Sequence, residues 1–353
     1  MTRVRRADEA VWVRPSEVAD GSVVSVFRVP PEVAGQRLDV FLQGQLKRTS
    51  RTRAQFIIRA SAFDDEGRRL RPNDRVRPFQ QILLWRAPWD ENPVPTEIPI
   101  VYEDEHLLAV DKPAHLPVHP SARYHRNTLI KVLQAKRPGE FLSLGHRLDR
   151  ETSGVILVAK SVACDRALKR AFEDRDGIEK TYLALTWGVP DRGDGARAFR
   201  LERSLELDPT HPTKVKMRVG VNDDALYAAT RFVVEETRES GRTGSTSGRH
   251  DPRVYARVRC ELETGRQHQI RIHLASLGAP IVGDKLYGPD DTCFARGADG
   301  VLTDVDLALL ELPRHALHAW RLTLAHPVTG AALALEAPVP SDFEAFWSAL
   351  APT

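Results

Sequence analysis

The sequence predicts an α+β protein: a mixed, mainly antiparallel sheet with flanking helices, preceded by a small α/β module. Three observations predict it. Strand-like segments outnumber helical ones and are often sequential neighbours. The 353 residues suffice for about two domains. Charge is divided unevenly: residues 1–90 hold 17 Lys and Arg against 11 Asp and Glu, net +6, and the remainder 34 against 37, net −3. A basic leading module suited to a polyanion is thus joined to a near-neutral working body.

Residues 1–24 lack periodicity and read as a flexible arm. Leu38, Phe41, Leu42 and Leu46 mark one face of a short helix. Ser50 then caps a second helix, whose inner face carries Ala54, Ile57 and Ile58. Alternation after Arg69 gives one or two short strands ending near Leu84, which closes a module over 25–87. The prolines of 88–97 make a semi-rigid linker, and a second domain spans 98–351. Its strands are expected at Ile98–Tyr102, His106–Val110, Gly154–Lys160, Thr181–Thr186 and Val254–Glu263. After the Thr264-Gly265 turn, Gln267–Leu277 reads as a helix stopped by Gly278. Leu322–Ala325 and Ala332–Leu335 form a hairpin, and Ser341 with Glu344 a capping box for a last helix. Residues 238–249 read as a polar mobile loop and 289–313 as a second insertion.

Composition narrows the chemistry. Hydrophobic residues make up 42% and charged residues 28%, an ordinary globular balance. The longest strongly apolar run is about five residues, far from the ~20 that span a bilayer, so no membrane partner is expected. Residues 1–20 contain no apolar leader core. Cys164, Cys260 and Cys293 are widely spaced, which excludes a disulfide framework and fits a reducing compartment, the cytoplasm. No His-Glu-x-x-His, P-loop or Gly-x-Gly-x-x-Gly occurs, so neither a metal nor a cofactor is expected.

Lys47, Arg48, Arg51 and Arg53 cluster at the start of the second helix, where backbone N–H groups and the dipole already favour a phosphate. Through GQRLDVFL (35–42) and TSRTRAQFIIRA (49–60), the stretch Arg28 to Arg86 resembles the small S-four-like RNA-binding domain named after a ribosomal protein. It departs from that family at Phe63-Asp64-Asp65-Glu66-Gly67, which puts acidic residues where a Val-Asn-Gly turn is usual.

Three segments carry chemistry. In Gly145–Gly154, four charged residues and His146 fall within six positions, just before a strongly apolar strand. A carboxylate on such a loop can be partly desolvated and still face a cleft; a satisfied ion-pair network has the same local signature. Thr264–Leu274 places Arg266 at a turn entering a helix, with Ile270, Leu274 and Leu277 on one face of it. Glu179–Ala184 puts Tyr182 on a strand, where tyrosine is ordinarily core.

Taken in order, these segments resemble the RluA-type family of pseudouridine synthases. The matching elements are Val110-Asp111-Lys112-Pro113 with Val118-His119-Pro120, His146-Arg147-Leu148-Asp149 with Thr152-Ser153-Gly154, and Lys180-Thr181-Tyr182 with Ala184. They end with Thr264-Gly265-Arg266, His268-Gln269-Ile270-Arg271, Gly283-Asp284 and Tyr287-Gly288. One departure is His115, where that family usually has glycine.

The resemblance implies the pseudouridine synthase fold and isomerisation of uridine in RNA. The base is detached from the ribose, turned, and reattached through carbon 5. Asp149 corresponds to the essential carboxylate, Arg266 to the basic residue that would hold it ionised through a bidentate pair, and Tyr182 to the aromatic that stacks on uracil. Attack on the sugar by Asp149 and abstraction of a sugar proton both remain open. The target must be flipped out at a cost of a few kcal/mol. Arg147 corresponds to a residue that fills the vacated stack, and His146 sits beside it in the RNA-binding set. The basic module favours large-subunit ribosomal RNA over transfer RNA, and a monomer is expected. Two other readings compete: a non-catalytic RNA-binding or ribosome-assembly protein, and a nucleoside glycosylase. A glycosylase would want two carboxylates flanking the bond, and Glu151 is the nearest second acid.

Overall fold

The computed structural model describes residues 12, 14–46, 49–87, 91–120, 124–174, 177–213, 215–240 and 254–353. The chain divides into two compact units, residues 1–91 and 92–353.

In the first unit, β1 (Val23–Arg28), α1 (Leu38–Gln45), α2 (Arg51–Ser61), β2 (Ala62–Phe63) and β3 (Gln81–Arg86) form an antiparallel sheet, ordered β1-β3-β2, with two helices. Alternation along β3 sends Ile82 and Leu84 towards Leu38, Phe41, Leu42 and Ile58 of the helices. The opposite face, Leu83 and Trp85, packs against Trp12, Val18 and Phe63. Part of the segment expected to be a loose arm is therefore docked, because its apolar residues cover the sheet face that the helices leave open. Ser50 caps α2 as expected, accepting from the Arg53 N–H at 3.2 Å. The acidic turn serves itself: Asp64 is buried and accepts from the backbone N–H groups of Glu66 and Arg68.

The second unit runs β4 (Ile100–Glu103), β5 (Leu107–Lys112), α3 (Leu129–Lys136), β6 (Ser143–Leu144), β7 (Ser153–Ala159), α4 (Val162–Asp174), β8 (Glu179–Trp187), β9 (Ala198–Glu202), β10 (Leu205–Leu207), β11 (Met217–Val219) and β12 (Ala229–Glu239). It continues with β13 (Val254–Leu262), α5 (Gln269–Ala275), α6 (Cys293–Asp299), α7 (Asp304–Leu310), β14 (Leu317–Ala325), β15 (Ala332–Glu336), α8 (Ser341–Ser348) and β16 (Ala351–Pro352). The main sheet is ordered β16-β12-β13-β8-β14-β7-β5-β4, with β15 on β14, β6 on β7 and β9 on β12; β10 and β11 pair separately. Pairing is antiparallel except between β14 and β7.

The apolar run at 155–159 follows from burial on both faces. Val155, Leu157 and Ala159 join a cluster with Cys164 and Leu168 of α4, while Ile156 and Val158 join the larger core on the other side. Gly154 adopts φ +114°, and a Cβ there would collide with the Ala319 carbonyl, so β7 and β14 approach closely because this residue has no side chain.

Three expectations are corrected. The helix after Thr264 covers Gln269–Ala275, shorter than 267–277, because His268 takes a left-handed conformation (φ +57°). Ser341 caps nothing: Pro340 occupies the N-cap of α8, and Glu344 instead accepts from Arg257 at 2.6 Å. The capping box lies at Thr303 and Asp306, in the stretch read as an insertion. Of the polar loop, Arg238 and Glu239 belong to β12 and residues 241–249 lie outside those described. Among the described residues, no helix is long and apolar enough to cross a membrane.

Two buried histidines join β14 and its approach to the loop before β7. His315 Nε2 lies 2.8 Å from Thr152 Oγ1, and His318 Nδ1 lies 3.0 Å from Ser153 Oγ. Burial pushes their imidazoles down to about 3 and about 4. The unfolded chain therefore takes up protons below about pH 6.5 that the folded one refuses, so stability is complete above that pH and lost as pH falls. Asp111, pushed up to about 6 by burial, opposes the trend as a single group. We expect the urea midpoint of the second unit to drop between pH 7.5 and pH 5.5, each imidazole withdrawing on the order of 1 kcal/mol. An unchanged midpoint would contradict this account.

Candidate active site

The cleft is built from the loop that enters β7, the middle of β8 and the turn between β13 and α5. Lys112, at the end of β5 and fully buried, fixes the loop from beneath. Its Nζ donates to the carbonyls of Pro113 (2.8 Å), Leu116 (3.0 Å) and Arg150 (3.1 Å). Burial, reinforced by Arg314, pushes this ammonium down to about 7. His115 adopts φ +64°, so the chain keeps a glycine-type conformation here at a local cost of about 1 kcal/mol.

The opposite wall depends on Gln269. Its side-chain oxygen accepts from Thr264 Oγ1 (2.7 Å) and from the Arg266 N–H (3.0 Å), while its nitrogen donates to Ala229 O (2.9 Å) and Thr230 Oγ1 (2.8 Å). A buried amide with all four bonds made fixes the Thr264–Arg266 turn.

Between these walls lies an open cleft. Arg147, Asp149, Tyr182 and Arg266 all line it, together with Thr152, His268 and Arg271. Asp149 Oδ2 accepts from Arg271 Nη1 at 2.9 Å and lies 3.8 Å from His268 Nε2. The Arg271 guanidinium is itself clamped by Asp284 through two parallel bonds, 2.6 Å from Nε and 2.8 Å from Nη2. Asp284 is fully buried and also accepts from the N–H groups of Leu286 and Tyr287.

Burial opposes ionisation of Asp149, but His268, Arg271 and His315 favour it, and the net result holds the carboxyl well below its usual range. Burial also keeps His268 and His315 neutral at pH 7, with values of about 4 and about 3. Arg271 is therefore the permanent counter-charge.

This corrects the reading of Arg266 as the partner of Asp149. Arg266 lies at the rim, with Nε donating to Tyr227 O at 3.0 Å. The sequence string holds two arginines, and the short helix α5 turns the second one inward. His146 also departs from expectation: it does not line the cleft, because its Nε2 accepts from the Leu157 N–H at 3.0 Å and its ring packs against Phe172. Burial pushes it down to about 3, which leaves it a neutral anchor for the loop. Tyr182 is buried to 9% exposure, and its hydroxyl makes no hydrogen bond among the described residues. Of the basic cluster, Lys47 and Arg48 lie outside the described residues. Arg51 Nε donates to the buried Asp39 at 3.1 Å, and the Arg53 guanidinium stands 5.1 Å from the Phe56 ring centroid.

Residues 106–276 match the family described as RNA pseudouridylate synthase. The ribosomal large subunit pseudouridine synthase D of Xanthomonas campestris pv. campestris is 34% identical over 343 residues, covering 95% of both chains. The protein of the same name from Pseudomonas aeruginosa is 32% identical over 324 residues, covering 89% of this chain and 92% of its own. This chain belongs to the RluA-type pseudouridine synthase family. The solved structure of human RNA pseudouridylate synthase domain containing 1 shares the fold, with a TM-score of 0.56 and 24% identity over 74% of this chain and 91% of that one.

The synthase is thus an isomerase, and its cleft is organised by one guanidinium shared between two carboxylates. We expect Arg271→Met to lower the unfolding free energy by about 3–5 kcal/mol, because it leaves Asp284 buried and unpaired. Arg266→Met should cost only about 1 kcal/mol, since this half-buried arginine gives its Nε N–H to the carbonyl of Tyr227, a neutral acceptor. Equal losses in urea unfolding would show that the clamp has been misread.

Proposed function

We propose that this synthase isomerises specific uridines in large-subunit ribosomal RNA, with Asp149 as the essential carboxylate acting on a flipped-out nucleotide. The observation that carries the reading is the ionised Asp149, held by Arg271 on one oxygen and open to a cleft that Tyr182 also lines. A phenol ring without a competing hydrogen bond suits stacking against an extruded uracil. Arg147, exposed at the mouth, suits the space that the uracil leaves in the RNA stack. The preference for ribosomal over transfer RNA rests on the names of the bacterial relatives and on the resemblance of the first unit to an S-four-like module.

The glycosylase reading loses its second acid. Both oxygens of Glu151 accept from Lys285 Nζ at 2.9 Å, and Glu151 is absent from the cleft lining. A purely RNA-binding role gives no reason to hold an ionised carboxylate in a partly dry cleft that faces a polyanion.

Asp149→Asn should abolish pseudouridine formation while leaving RNA affinity within about twofold, since phosphate contacts dominate affinity. Mapping pseudouridines in ribosomal and transfer RNA from cells carrying the variant reads both the loss and the target. Full modification in that strain would overturn the reading. Neutralising Arg48, Arg51 and Arg53 together should weaken binding and flatten its salt dependence by about one unit per lost phosphate contact. An unaltered slope would remove this cluster from the RNA interface.

A further inference from the structure

Two groups crowd one oxygen of Asp149 and leave the other alone. Arg271 Nη1 bonds Oδ2 at 2.9 Å, and His268 Nε2 faces the same atom at 3.8 Å. Among the described residues, no donor reaches Oδ1. His268 is not placed casually. It holds a left-handed backbone at the start of α5, its side chain is 9% exposed, and its ring stands 5.6 Å from that of Tyr287.

The hydrogen-bond chain behind the imidazole sets its tautomer. The Tyr287 oxygen accepts from the Met217 N–H at 3.0 Å and lies 2.8 Å from His268 Nδ1. With an N–H already donated to that oxygen, the phenol proton is satisfied by pointing at Nδ1. A neutral imidazole that accepts at Nδ1 carries its proton on Nε2, the nitrogen that faces Asp149. The charged and titratable groups around this ring are Asp149, Arg271, Asp284, Tyr287 and Arg147.

We propose that His268 is a positioning residue: Tyr287 fixes it as the Nε2–H tautomer, and with Arg271 it occupies Oδ2 so that Oδ1 is the oxygen presented to the target nucleoside. The proposal rests on the assignment of Asp149 above and adds which oxygen acts and what selects it. The gap of 3.8 Å is longer than a hydrogen bond, and catalytic contacts commonly tighten when the cleft fills.

Two amide replacements separate this role from a backbone role. Glutamine places an N–H near the position of Nε2, whereas asparagine reaches only the position of Nδ1. Asparagine, however, tolerates the left-handed conformation better than glutamine. A residue kept for its backbone would therefore be replaced better by asparagine, and one kept for its Nε2–H by glutamine.

The experiment measures single-turnover pseudouridine formation on total RNA from cells lacking the protein, which contains the unmodified target whichever RNA that is. RNA affinity and urea midpoints are measured alongside, for the full-length chain. We expect His268→Gln to stay within about fivefold of the wild type, and His268→Asn to be about 10- to 100-fold slower at unchanged RNA affinity. Tyr287→Phe, which frees the tautomer, should fall between them. Asn equal to or better than Gln, with Asp149→Asn silent, overturns the proposal alone. Turnover by Asp149→Asn overturns the assignment of the cleft, and this proposal with it.

Discussion

The guanidinium of Arg271 is the point on which the second unit's chemistry turns. A buried arginine with a single carboxylate partner would leave donors unsatisfied, and a buried Asp284 without it would be an uncompensated charge. The clamp neutralises Asp284 with two of the five N–H groups, and a third, on Nη1, is directed outward to Asp149. One planar cation fixes the loop that carries Asp149 to helix α5 and to the turn at Asp284, more than 120 residues further along the chain. Its rigidity matters more than its strength: the fork geometry of a guanidinium sets the direction of each bond, which an ammonium cannot do.

Much of this was legible in the sequence, and the failures have physical causes. The strands of the second unit were visible because a sheet buried on both faces writes continuous apolar runs, as at 155–159. The grouping of Asp149, Tyr182 and Arg147 was legible through resemblance, since no local pattern says that the loop before β7 faces the middle of β8. The choice between Arg266 and Arg271 was not legible. Helix α5 is buried from Gln269 to Leu274, so it has no polar face to mark where the cleft lies. A stripe of Ile270 and Leu274 suggested one inner face; the left-handed residue at 268 and burial on every side removed its meaning. The usable signal was a lone charge between Ile270 and Ile272, since arginine is rarely buried without a partner.

The same buried economy governs the loop that carries Asp149. Its carbonyl at Arg150 is held by Lys112, its acid at Glu151 by Lys285, and its hydroxyl at Thr152 by His315. The three residues that follow Asp149 are thereby tied to three separate parts of the second unit, and the Asp149 carboxylate is left facing the cleft. Mobility of such a loop would let the carboxylate turn towards water, where it would gain solvation and lose its direction. Polar groups buried in this way are costly individually and become useful as a fully satisfied network.

A cleft that holds an anion must still admit a polyanion. Asp149, Asp284 and Arg271 together carry one net negative charge on the floor of the cleft, which would repel RNA phosphates. Arg147 and Arg266 answer this from the lining, and only the floor is acidic. The separation works because screening differs: charges at the wet rim act on phosphates that arrive from solvent, whereas the buried clamp acts over a few ångströms in a medium that water does not reach. The division repeats on the scale of the chain, with net +6 in residues 1–90 and −3 in the remainder. Arg266, displaced from the role of ion-pair partner, stands with Arg147 as a positive charge in the lining of the cleft.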